Sequence, residues 1–186
     1  VPSAVIAYIT LTLIAYFYFP GPFTPNTNWL SDLGDVRYNP QGWILYNIGV
    51  ILTGFLIGLY FLGISNWILE NRKIQQWMVR LTQFFGVLGC FSLIMSGLFP
   101  INNIEQHRIW SIALYCLLGT SFAFSIAALR YHPWFPRWVL FLGVITTIVD
   151  IFSSFLHEVT LLEWATVILF LTYIFTINLI FLIHKR

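Results

Sequence analysis

Long apolar runs separated by short polar or proline-bearing breaks dominate the chain. Six such runs occur, at about 3–19, 42–68, 76–99, 107–131, 137–157 and 162–183. A helix that spans a bilayer needs about 20 mostly apolar residues, and each run meets or approaches that length. The breaks carry recognisable stop signals. Pro20, Gly21, Pro22 and Pro25 end the first run, Asn71-Arg72-Lys73 separates the second from the third, and Pro100 ends the third. Pro133 and Pro136 split the fourth from the fifth, whereas only His157 to Leu161 divides the fifth from the sixth. The pattern predicts an all-α, polytopic integral membrane protein. It is one domain over 1–186, a bundle of six transmembrane helices with a structured outer loop between the first two. The first run lacks a basic leader and a small-residue cleavage site, so it reads as a retained helix and not as a signal peptide.

Composition supports this reading. Of 186 residues, 59% are hydrophobic and only 9% charged, against about a quarter charged in a soluble domain. The eight tryptophans, Trp29, Trp43, Trp67, Trp77, Trp110, Trp134, Trp138 and Trp164, all fall in loops or near helix ends, where indole prefers the membrane–water interface. Lys and Arg set an orientation. Arg72, Lys73, Arg80, Arg130, Arg137, Lys185 and Arg186 share one face, and only Arg37 and Arg108 reach the other. By the positive-inside bias, the first face and both termini are expected to be cytoplasmic, in a cell membrane. A net charge of +2 without a basic cluster argues against nucleic acid. Membrane lipids are the expected partners. Cys90 and Cys116 lie in apolar runs without metal-ligand spacing and read as small buried hydrophobes.

Polar residues that can carry chemistry gather on the outer side. The loop of about 20–41 is long for a membrane hairpin and is expected to fold over the bundle mouth. Within it, Asn26 or Thr27 is placed to cap a short helix that Gly34 closes, with Ser31 and Asp32 at its end and Asn28 beside it. His107 stands at the outer start of the fourth helix, where it can bond a neighbouring carboxylate, ligate a metal or move protons. On the fifth helix, Asp150, Ser153, Ser154 and His157 follow i, i+3, i+4, i+7 and share one face. Asp150 lies about 10 Å below His157 at helical rise. A carboxyl at that depth is either a functional group or a polar lock between helices, Asn47 being its candidate partner. Glu163 opens the sixth helix, where the macrodipole favours a carboxylate.

Together Asp32, His107, His157 and Glu163 form a candidate ligand set for a divalent ion such as zinc. These four come from separate segments, with no local motif such as H-E-x-x-H. In an enzyme, Asp32, His107 and Glu163 are the catalytic candidates. Ser31, Asn28, Asn47, Asp150 and Ser153 are the candidates for binding substrate.

Trp29-Leu-Ser-Asp-Leu-Gly34, then Asn39-Pro40, then Tyr46-Asn47-Ile-Gly-Val-Ile-Leu-Thr-Gly54 resembles the prokaryotic six-helix membrane family "domain of unknown function 998". His107, after Phe99-Pro100, and Glu163, opening the last helix, are similar to that family's histidine and acidic residue. Ser31-Asp32-Leu33-Gly34, His107 and His157 to Glu163-Trp164 also look similar, more distantly, to the damage-regulated autophagy modulator and Frag-type membrane proteins. The resemblance implies six helices and an outer site built from the Ser-Asp loop, a histidine and a glutamate. It implies no reaction. Lipid-headgroup binding or handling is the expectation. The alternatives are a metal-dependent intramembrane lipid hydrolase with Asp32 or Glu163 as base, a proton-coupled transporter using Asp150 and His157, and a haem-binding subunit with His107 and His157 as ligands. Hydrolases of the alkaline ceramidase and adiponectin-receptor type use three histidines, and this chain offers two on the outer side.

Overall fold

A computed structural model describes residues 1–156 and 159–184. Its helices are α1 (Pro2–Phe17), α2 (Trp43–Gly63), α3 (Lys73–Leu98), α4 (Ile104–Leu129), α5 (Arg137–Phe155) and α6 (Thr160–His184), with no strand among the described residues. Two 3₁₀ turns join them, Leu30–Gly34 in the first loop and Ile64–Trp67 after α2. Counting its 3₁₀ tail with α2, five helices are long and apolar enough to cross a membrane; α1 is apolar but shorter.

The boundaries differ from the apolar runs where polar side chains serve the backbone. Lys73, Ile74 and Gln75 precede the apolar run of 76–99, yet α3 begins at Lys73. The Gln75 amide donates to Trp67 O at 2.6 Å and accepts from Leu69 N–H at 3.0 Å, and the Gln76 amide donates to Leu69 O and Glu70 O. They satisfy the α2–α3 turn from within the helix. In the outer loop, the turn starts later than expected. Asn26 and Thr27 belong to a separate turn closed by Thr27 N–H on Thr24 O, and the 3₁₀ segment begins at Leu30 with Trp29 as its cap.

Each helix packs on its neighbour in sequence, and α1 also meets α6, which closes a ring. Phe17, Phe84, Phe141 and Phe155 are exposed on the outside, while Thr53, Thr82, Ser121 and Asp150 are buried inside. This inversion of the soluble pattern is what a lipid solvent allows. Hydrophobicity no longer drives helix association there, so close contact and interhelical hydrogen bonds carry it. Ser121 Oγ donates to Thr82 O at 2.9 Å between α4 and α3. Ser125 Oγ and Tyr173 Oη meet at 2.8 Å between α4 and α6, and Ser153 Oγ and Thr166 Oγ1 at 2.7 Å between α5 and α6. Gly97 lets α3 approach α2 closely, since a Cβ there would stand 3.2 Å from Asn47 O.

The basic end of the ring is sealed by aromatics. Trp67 stacks on Phe181, and Trp134 packs edge-on to Phe181 and stacks on His184. His132, in the α4–α5 loop, is buried; its Nε2–H donates to Trp67 O at 2.9 Å, and Nδ1 has no partner among the described residues. Burial lowers its pKa from the ordinary 6.5, against the opposing pull of the Trp67 carbonyl. A depressed folded-state pKa means that the unfolded chain takes up the proton first. The thermal midpoint in detergent is therefore expected to fall as the pH is lowered from 7.5 through 6.5 and below. His132→Gln, which keeps a donor for Trp67 O but cannot titrate, is expected to show a shallower fall. Equal slopes in the two proteins would remove this role from His132.

Candidate functional site

Glu163 is in the first turn of α6, and its carboxylate accepts two backbone N–H groups of the outer loop, Leu30 at 2.8 Å and Ser31 at 3.3 Å. Neighbours reinforce that clamp. Trp164 Nε1–H donates to Asn28 O at 3.0 Å, and Thr160 Oγ1 to Pro25 O at 2.8 Å. One turn of α6 thus fastens the loop down at four points. From below, the Asn47 amide of α2 donates to Gly34 O at 2.9 Å. A Cβ at Gly34 would collide with the Asn47 side chain and stand 2.8 Å from the Tyr46 ring, so this close seat needs glycine. Asn39 is wholly buried; its amide donates to Ala15 O and Leu33 O and accepts from Gly42 N–H. Most of the motif residues between Ser31 and Asn47 therefore bind loop to bundle.

Asp32 is turned back on its own segment. Its Oδ2 accepts Trp29 N–H at 3.0 Å, the reciprocal bond of a helix cap. Burial pushes its carboxyl above the usual range and the Asp35 anion adds to that, while the Trp29 N–H pulls it down. Burial also acts upward on Asp35, but the Arg37 guanidinium, paired with it at 2.6 Å, holds it below the usual range.

Two cavities meet beneath the loop. The inner one, about 70 Å³, is lined by all six helices, with Tyr8, Asn47, Ser96, Ser111, Asp150 and Thr166 among its walls. It has room for a few waters. The outer one, about 400 Å³, lies between the start of α4, the end of α5 and the start of α6, within the usual range for ligand pockets. Ser31, His107, Ser111, Tyr115 and Glu163 line both, and form the neck between them. Ile101, Ile104, Ile112, Leu156, Val159 and Leu162 make the outer cavity an apolar groove. Ile104, Leu156 and Val159 are exposed, so the groove is open to the surface along that edge.

His107 Nδ1 faces two backbone carbonyls, Phe99 O at 2.9 Å and Ser96 O at 3.2 Å, not a carboxylate. Two acceptors assign the proton to Nδ1 and leave Nε2 as an acceptor. Asp150 is 1% exposed, and neither carboxyl oxygen has a partner among the described residues. Asn47 lines the same cavity, yet spends its amide on Gly34 O and forms no bond with Asp150.

Of the residues singled out from sequence, Ser31, His107 and Glu163 come together at the neck. Asn47 and Asp150 line the inner cavity, and Ser153 lines the outer one. Asp32 and Asn28 line neither. The Asn28 amide oxygen accepts from Thr24 N–H and Thr27 Oγ1, inside the loop. His157 lies outside the described residues, and the haem pairing with it. Among the described residues no three His, Cys, Asp or Glu side chains stand together to hold a metal. The candidate set of Asp32, His107, His157 and Glu163 includes His157 and so lies partly outside the described residues. Sequence reasoning missed Ser111, Tyr115, Tyr8 and Tyr46. The first two were detectable, since His107, Ser111 and Tyr115 recur every fourth residue on α4 and share one face.

A family model described as "Protein of unknown function (DUF998)" matches residues 3–180. No curated protein and no solved structure matches the chain. The matched span contains the whole clamp, which makes Glu163 its most testable residue. Glu163→Ala leaves two loop N–H groups without their acceptor, at about 1–3 kcal/mol each where buried. The expected result is faster protease cleavage in 20–41 and a thermal midpoint lowered by several degrees. Glu163→Gln, which keeps one oxygen acceptor, is expected to fall between. Cleavage of the alanine variant at the wild-type rate would show that the clamp does not hold the loop.

Proposed function

The chain belongs to the DUF998 family of proteins of unknown function, and we propose that it is a six-helix protein of the cell membrane that binds a lipid by its headgroup at the extracytoplasmic end. What carries this reading is the joining of an open apolar groove to a polar neck. Both halves of an amphiphile find their complement there. An acyl chain would lie against Ile104, Ile112, Leu156 and Leu162, which already face lipid at their edge. A headgroup would reach the Ser31 and Ser111 hydroxyls, Tyr115 and the His107 Nε2 acceptor. Glu163 supplies the negative charge of the neck while it anchors the loop above.

The orientation rests on charge. Five of the seven described Lys and Arg, Arg72, Lys73, Arg80, Arg130 and Arg137, belong to the end opposite the cavities, which the positive-inside bias assigns to the cytoplasm with both termini. The sixth crossing is α1. Its 16 residues extend about 24 Å, a little short of a typical hydrocarbon core. Its packing against α2 and α6 supports counting it in the bundle.

The test is lipid retention. Purified in mild detergent, the protein is expected to carry lipid detectable by native mass spectrometry, and added lipid is expected to raise its thermal midpoint by a few degrees. Ile112→Trp fills the groove without touching the neck's polar groups. It is expected to lower retention about tenfold or more and to abolish the thermal response. Retention unchanged by Ile112→Trp would sink the groove as the binding site.

A further inference from the structure

We propose that the inner cavity is an ammonium-binding subsite with Asp150 as its counter-charge, so that the headgroup held at the neck is a cationic amine. This rests on the lipid reading above and adds a ligand class to it. The inner cavity carries two carboxyl groups, Glu163 at its neck and Asp150 on α5, and no Lys or Arg among its described lining residues. The two carboxyls differ in what they do. Glu163 is spent in part on loop N–H groups, whereas both oxygens of Asp150 are buried and unpartnered. An unpaired carboxyl in a low-dielectric interior is costly, and a cation relieves that cost directly.

The walls fit the same guest. Tyr8, Tyr46 and Tyr115 line the cavity from three helices, and aromatic faces beside a carboxylate are the usual surroundings of a bound ammonium group. Tyr115 stands within electrostatic reach of both Asp150 and Glu163. Gly119, one turn further along α4, leaves room for Asp150, since a Cβ there would come within 3.3 Å of the Asp150 Cβ. The cavity volume suits an ethanolamine-sized head and is too small for a sugar. A zwitterionic phospholipid would place its ammonium through the neck toward Asp150 and leave its phosphate in the outer cavity, beyond the Glu163 carboxylate. The only Arg lining the outer cavity among the described residues, Arg108, stands on the phosphate's side.

The experiment uses the full chain in nanodiscs of mixed phosphatidylethanolamine, phosphatidylcholine and phosphatidylglycerol, with bound lipid read by native mass spectrometry. Free ethanolamine and choline are titrated in parallel by thermal shift in detergent. The wild type is expected to enrich an amine-bearing lipid about tenfold over phosphatidylglycerol, and Asp150→Asn to bring that ratio near one while lipid is still bound. Stabilisation by the free amines alone, lost in Asp150→Asn, would keep the ammonium subsite and assign it a water-borne ligand, against the lipid reading. Lipid bound without preference for an amine, or a preference that Asp150→Asn leaves intact, would overturn the subsite and leave the lipid reading standing. No lipid and no free amine bound would overturn both. Should Asp150→Asn not fold, the headgroup preference of the wild type decides by itself.

Discussion

Everything at the outer end depends on one carboxylate meeting two backbone amides. Glu163 receives the N–H groups of Leu30 and Ser31, and so joins the last helix to the first loop across most of the chain. Those amides open a 3₁₀ turn and have no acceptor within it, which is the standing problem of any helix start. A carboxylate at the N-terminus of another helix solves it, because α6's own dipole also favours negative charge at that position. Two helix starts therefore share one anion. The loop then becomes the roof of the inner cavity, and the neck gains its carboxyl from the group that holds the roof.

The helical frame was largely legible in the chain, because apolar length and proline breaks report directly on what lipid requires. The site was legible only in part, and the reason differs by residue. His107, Asp150 and Glu163 stood out as ionisable groups in apolar surroundings, and all three line the inner cavity. Asp32 and Asn28 stood out by their place in the loop over the bundle mouth but bond their own segment, as short polar side chains in turns commonly do. Nothing local distinguishes an Asp that caps its own turn from one that faces a ligand. The tyrosines were hidden by the opposite ambiguity, since Tyr near a membrane interface is expected for its own sake. Only the ring closure of α1 on α6 tells Tyr8 and Tyr46 apart from anchors.

Asn39 and Asn47 illustrate how a motif can be structural and still serve a site. Both satisfy buried carbonyls of the loop and its neighbours, which in a lipid-surrounded protein have no water to turn to. Their work is to keep irregular backbone inside the protein. Ser31 is then presented to the neck from a segment with little freedom to move.

The inner cavity also has a floor. Below it, Ile57, Phe61, Phe122, Tyr173 and Ile174 are almost wholly buried, and Trp67, Trp134 and Phe181 close the far end. The inner cavity is thus a blind alcove whose way out is the outer groove. On the lipid reading proposed above, whatever entered by the groove would leave by the groove, so an occupant would equilibrate with one leaflet and keep no memory of the other.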